Sequence, residues 1–261
     1  MIRLGVCTKP ENIKLMAELG FEFIEVSLAW LAGLSEEEYQ EQLKIVREAP
    51  IGAEAANGML PGELKVTGPD VDDSAVCAYL EKAFSRAHEM GIKTVVFGSG
   101  AARRVPDGWS QAEAWRQIAH FLTIVEEYGT KYDITLAIEP LRRAECNIMN
   151  LVTEGTLMSS VLNLPHIGTL GDTHHMMCGC EPMSALTQAG RQLKHVHISH
   201  SMGDEGGRDW PSEGDGNDYD AMFAAMKAGG YDGRVSIEAG CKDMSIDGVK
   251  AFAVLDACRR K

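Results

Sequence analysis

Three carboxylates and one imidazole occupy equivalent places in the second half of this chain. Glu139 closes the run Leu136-Ala137-Ile138, Asp172 follows Gly171, His197 lies within His195-Val196-His197-Ile198-Ser199, and Glu238 closes Val235-Ser236-Ile237. A lone acid after a short apolar run is ordinarily a solvated loop residue or a helix cap. Four such groups at corresponding positions are another matter, because gathered carboxylates repel one another unless a cation or a proton joins them. Three carboxylates and one histidine are mainly hard oxygen donors. They suit Mn²⁺, Mg²⁺ or Co²⁺ better than a closed tetrahedral zinc site, and they leave positions open for water or substrate oxygens.

The elements that must gather these groups are legible as a repeat. Short apolar runs at Ile2–Cys7, Phe23–Val26, Gly52–Ala56, Thr94–Phe97, Ile134–Glu139, His166–Gly171, His195–Ser199 and Arg234–Glu238 read as parallel strands covered on both faces. Helical periodicity fills the intervals at Glu11–Leu19, Glu36–Glu48, Ser74–Met90, Gln111–Tyr128, Thr153–Leu162, Pro182–Ala189, Tyr219–Ala228 and Ile246–Arg259. Leu19-Gly20-Phe21, Met90-Gly91-Ile92 and Gly229-Gly230-Tyr231 carry the glycine that stops a helix and opens the next strand. Eight alternating pairs predict an α/β fold with one (β/α)8 barrel domain spanning residues 1–261. In such a barrel the chemistry sits at the C-terminal ends of the strands, where Glu139, Asp172, His197 and Glu238 all fall.

Bulk properties remove several classes of function. With 45% hydrophobic and 24% charged residues the chain is neither disordered nor membrane-spanning. A net charge of −13 argues against a nucleic-acid partner, which needs surplus Lys and Arg on its binding face. Met1–Val6 enters a strand directly, without the apolar core of a signal peptide, which predicts a cytoplasmic protein. The seven cysteines form no zinc-type CxxC pairs and read as mostly buried thiols, Cys178-Gly179-Cys180 included.

With these residues in place, the chain resembles the xylose-isomerase-like barrels, a superfamily of sugar isomerases, ketose 3-epimerases and endonuclease IV. The resemblance is sharpest from Glu139 to Glu238, and the branch it approaches is that of the D-tagatose/D-psicose 3-epimerases. It implies one divalent ion, Mn²⁺ first with Mg²⁺, Co²⁺ or Zn²⁺ as alternatives, held by Glu139, Asp172, His197 and Glu238. The D-x-x-H pattern is met by Asp172-Thr173-His174-His175, making His175 a substrate-binding residue; E-x-L-x-R-x-E is met from Glu139 to Glu145, giving Glu145 the same role. An arginine beyond the strand-seven histidine belongs to the pattern as well, and Arg208 is its nearest candidate. The implied partner is a small sugar or sugar phosphate, without nucleic acid or membrane, and homo-oligomers occur among such barrels. The implied reaction is ketose 3-epimerisation through a cis-enediolate, with Glu139 and Glu238 removing and returning a proton.

Aldose–ketose isomerisation, as in hydroxypyruvate isomerase, and inosose-type dehydration share the barrel and stay open as alternatives, since the sequence does not measure which carbon loses its proton. Endonuclease IV needs three zinc ions and extra histidines; here no histidine precedes His88. A non-catalytic sugar-binding relative would be expected to lose one of the two glutamates. His195 shares a strand face with His197 and reads as a core or ligand-orienting residue. His174 and His200 are expected to point away from the site, and His88 and His120 to lie on helix surfaces. Phe97-Gly98-Ser99-Gly100 with Arg103 and Arg104 offers an anion nest, set against a loop with solvated arginines. Asn57, Trp30, Trp109 and Trp210 are candidate walls of a sugar pocket.

Overall fold

The apolar runs form strands that close into a ring. The structure, a computed structural model describing residues 1–261, contains β1 (Arg3–Cys7), β2 (Phe23–Ser27), β3 (Gly52–Asn57), β4 (Thr94–Phe97), β5 (Thr135–Ile138), β6 (Ile167–Asp172), β7 (Leu193–Ile198), β8 (His200–Ser201), β9 (Arg208–Asp209) and β10 (Arg234–Ile237). The barrel runs β1-β10-β7-β6-β5-β4-β3-β2 and all its pairings are parallel. β8 and β9 form a separate antiparallel hairpin above the rim. One apolar core joins the outward faces of the strands to the surrounding helices. Val96, Ala137 and Leu170 make a small cluster of their own. Because strand residues alternate in direction, the positions two further along β5 and β6, Glu139 and Asp172, share their face.

Thr94–Phe97 falls where the sequence places it, and the other barrel strands lie within two residues of their expected bounds. β7 starts earlier than expected because Leu193 still pairs with Thr169. The helix expected to stop at Tyr128 continues to Tyr132. Gly129, just past the expected end, is a packing residue inside the helix: a Cβ there would lie 2.9 Å from both the His166 side chain and the Ile134 carbonyl. The turn is made instead by Asp133, at φ 54°. Four short helices escape the periodic reading, Leu28–Gly33, Gly100–Arg103, Thr173–Cys178 and Gly203–Gly206, each too short to show a period and each following a strand on the chemical rim. The cysteine expectation is corrected as well. Cys146 alone is buried, five thiols are half-buried and Cys180 is exposed; all seven are free.

Candidate active site

Each of the four acid or imidazole groups is placed by its strand. Glu139 N–H donates to the Phe97 carbonyl at 3.1 Å and Glu238 N–H to that of Ile198 at 3.2 Å, so both residues continue their strands' ladders by one step. Asp172 ends β6 and pairs with His197 on β7. It also caps the short helix that follows, its Oδ1 accepting from His175 N–H at 3.0 Å, which leaves Oδ2 for the mouth. His197 Nδ1 lies 3.0 Å from Glu139 Oε1, 3.2 Å from Glu238 Oε2 and 3.8 Å from Asp172 Oδ2. One donor atom from each of the four falls within 4.8 Å of the others. Octahedral ligands at about 2.1 Å from an ion sit about 3.0 Å apart when adjacent and about 4.2 Å when opposite. The spacing and the hard-donor chemistry therefore fit a divalent ion.

Behind His197 lies a group that the sequence reading missed. Glu25, in the middle of β2, is fully buried. Its Oε1 is 2.9 Å from His197 Nε2 and its Oε2 is 2.7 Å from His195 Nε2. Both histidines are fully buried too. A carboxylate accepting from Nε2 leaves the Nδ1 lone pair of His197 aimed at the other three ligands, the usual arrangement behind a metal-binding imidazole. Burial works to raise the Glu25 pKa, but the two imidazoles hold it well below the ordinary carboxylate range. Burial works to lower His197, yet the charges of Glu238, Glu25 and Glu139 raise it well above its usual value. His195 is pushed down by burial, against the opposing pull of Glu25. The signal was available: a charged residue inside the apolar run Phe23-Ile24-Glu25-Val26 must find a buried partner.

The two outer carboxylates are driven apart. Burial and the negative charge of Glu238 raise the Glu139 pKa. Glu238 feels burial in the same sense, but His197 and Arg208 overcome it and hold it down. Arg208, at the start of β9, places Nη1 2.7 Å from Asp172 Oδ2 and 2.9 Å from Glu238 Oε2. Asn57, at the end of β3, donates to Glu238 Oε1 at 3.0 Å and fixes its rotation. Gly98 makes room on the other side: a Cβ there would lie 2.2 Å from Glu139 Oε2.

A cleft of about 220 Å³ opens on this group, lined by Asn57, Glu139, Glu145, His175, Arg208 and Glu238 among others. His175 is 2% exposed and neither ring nitrogen has a partner. A buried imidazole without a partner is costly unless a ligand supplies one. Glu145 is steered by Arg142 Nε at 2.7 Å, and Arg142 is itself tied to Asp204 in the short helix Gly203–Gly206. Six of the seven residues singled out from the sequence, Glu139, Asp172, His197, Glu238, His175 and Arg208, thus meet at one mouth, and the seventh, Glu145, is on its wall.

Other candidates go elsewhere. His174 turns to Ser201 Oγ at 2.9 Å, and His200 lines a different cleft beside Asp209 and Lys242. Arg103 is no anion ligand. It is fully buried and donates to the Phe97 and Glu139 carbonyls, bracing the two strand ends. Arg104 is exposed and bonds the Glu145 carbonyl. Trp210 packs edge-on against Phe21 and donates to the Ala239 carbonyl, and Trp109 bonds Gln117, so neither walls the mouth. Trp30 lines an adjoining cleft. No helix is long and apolar enough to cross a membrane.

A closed parallel barrel thus carries a carboxylate–imidazole cluster at its C-terminal mouth. Residues 13–255 match the xylose isomerase-like TIM barrel family, and the chain belongs to it. It is 27% identical over 190 residues to a probable ketose 3-epimerase of Synechocystis sp., a match covering 69% of this chain and 61% of that protein. It is 22% identical over 242 residues to the 3-dehydro-D-guloside 4-epimerase of Escherichia coli, covering 88% and 87% respectively. The chain spans less than two thirds of the length of the first of these relatives. The D-psicose 3-epimerase of Clostridium cellulolyticum H10 superposes with a TM-score of 0.83 at 18% identity, covering 99% of both chains, a likeness of fold.

Proposed function

We propose that this chain is a divalent-metal-dependent sugar epimerase, a ketose 3-epimerase that removes a proton beside the substrate's carbonyl and returns it to the opposite face. The observation that carries the reading is the pair Glu139 and Glu238, two carboxylates that approach His197 Nδ1 to 3.0 and 3.2 Å and line one cleft. Names of relatives support it: sugar epimerases recur among them, with reacting carbons at positions 3 and 4.

Glu139, Asp172, His197 and Glu238 would hold the ion, Mn²⁺ by the hardness of its donors. The ion would supply Lewis acidity toward a carbonyl and its neighbouring hydroxyl, which acidifies the carbon between them. The protein's own groups do the rest. Glu238, kept ionised by His197 and Arg208, is suited to take the proton. Glu139, whose pKa burial and the charge of Glu238 raise, would return one from across the substrate. His175 offers its unpartnered nitrogens to a sugar oxygen, and Glu145 and Arg208 line the same cleft.

Incubation in D₂O with Mn²⁺ and a panel of ketohexoses, tetruloses and hydroxypyruvate tests this. Deuterium at C3 with formation of the epimer is expected. Exchange confined to C1 or C2 would replace the reading by aldose–ketose isomerisation, and no exchange despite stoichiometric metal would refute both.

A further inference from the structure

Five neighbouring strands of the ring, β1-β10-β7-β6-β5, end in or beside metal-ligating side chains: Cys7, Glu238, His197, Asp172 and Glu139. Val6 pairs with Ile237, so Cys7 stands level with Glu238 on the adjoining strand. The Cys7 thiol lies within 4.8 Å of donor atoms of both His197 and Glu238. Two donor sets therefore overlap in the mouth and share His197 and Glu238. One is completed by Asp172 and Glu139, the other by Cys7. Cys7 is half-buried and lines a cleft of about 490 Å³ with Thr8, Asn12 and Trp30, so an ion from solvent can reach the sulfur.

The two sets differ in chemistry. Carboxylate oxygens suit Mn²⁺ and Mg²⁺, whereas a thiolate beside an imidazole and a carboxylate is a zinc donor set. Tetrahedral ligands at about 2.0–2.3 Å from zinc lie about 3.3–3.8 Å apart, inside the 4.8 Å that bounds this trio. We infer that the mouth holds a second, softer site, Cys7, His197 and Glu238, which takes Zn²⁺ in place of the ion held by the four hard-donor residues. On binding, a sulfur–zinc bond forms and the thiol proton passes to solvent. Because His197 and Glu238 serve both sets, the two ions exclude one another, and Zn²⁺ drawn onto the sulfur displaces Mn²⁺. This deepens the reading of the mouth as a metal site and rests on it.

Cd²⁺, a softer congener of Zn²⁺ whose thiolate complexes absorb in the ultraviolet, reports the sulfur directly. Equimolar Cd²⁺ is expected to give the thiolate-to-cadmium band with the wild-type protein. Cys7→Ser should abolish that band, and Cys180→Ser, which removes the exposed thiol, should retain it. In chelator competitions Cys7→Ser should weaken Zn²⁺ and Cd²⁺ by at least about tenfold, the smallest loss expected for a change even behind a ligand, and leave Mn²⁺ within about twofold. Equimolar Zn²⁺ should release bound Mn²⁺ from the wild type, read by EPR of the free ion, and much less from Cys7→Ser. No band, a band that survives Cys7→Ser or is lost in Cys180→Ser, or a Mn²⁺ loss in Cys7→Ser equal to its Zn²⁺ loss overturns the soft site and leaves the four-residue site standing. A wild-type protein that binds no Mn²⁺ overturns both.

Discussion

Replacing Glu25 by Gln separates ligand orientation from stability. The carboxylate accepts from His195 and His197 at 2.7 and 2.9 Å, and all three residues are fully buried. Gln has the same shape but only one accepting oxygen, and it carries no charge. Whichever imidazole faces the amide NH₂ loses its acceptor, and the other loses the charge that favours an Nε2 proton. A change behind a metal-binding histidine costs about 10- to 100-fold in metal affinity, or about 1.4 to 2.7 kcal/mol. The fold should survive, because the volume is kept and one imidazole is still partnered. Glu25→Ala is different: it strands two buried N–H groups at about 1–3 kcal/mol each. That is a large share of a domain stability of about 5–15 kcal/mol. Mn²⁺ competition against a chelator, followed by EPR of the free ion, measures the first quantity and a urea midpoint the second. Glu25→Gln should lose affinity with a midpoint loss about half that of Glu25→Ala, which strands two N–H groups rather than one. Wild-type Mn²⁺ affinity in Glu25→Gln would refute the orienting role.

Other outcomes follow from the same geometry. Glu139→Gln and Glu238→Gln should each abolish deuterium exchange, and retained exchange in either removes it from the proton path. Gly98→Ala should cut turnover about a hundredfold by displacing the Glu139 carboxylate, whose oxygen lies 2.2 Å from the added Cβ position; a crystal structure with Glu139 unmoved would count against it. His175→Leu removes two unpartnered nitrogens, so the thermal midpoint should hold or rise while KM for the ketose rises about tenfold. Away from the mouth, burial tends to raise the Glu54 pKa, but hydrogen bonds from Arg3 and Arg234 hold it below the ordinary value. Its contribution is thus present above the unfolded pKa of about 4.3 and lost as pH falls through the folded one. Glu54→Gln should flatten the acid limb of a stability–pH curve below about pH 4.3, and an unaltered limb would exclude the linkage.

The barrel was legible because its strands and its longer helices repeat a period long enough to read. The ends of four strands were legible because Glu139, Asp172, His197 and Glu238 interrupt apolar runs at corresponding places. What stayed hidden depends on contacts between distant segments. The short helix after Asp172 lacks a period, so nothing local showed that one carboxyl oxygen would be spent on a cap, leaving the other for the mouth. Arg103 and Arg104 are adjacent and chemically alike, yet one is fully buried under two strand ends and the other is exposed, a split that only the packed turn decides.

Glu25 marks where sequence reasoning had more to yield. An ionised side chain inside a strand covered on both faces is costly unless paired. Its partner must come from another strand and on the inward face. Among the eight expected strands, only the seventh carries a histidine away from its first residue, and its His195 and His197 lie two apart on one face. Pairing Glu25, flanked on both sides by apolar residues, with the one His-x-His strand would have placed β2 and β7 in contact through the barrel interior. It would also have set the tautomer of the metal-binding imidazole from sequence.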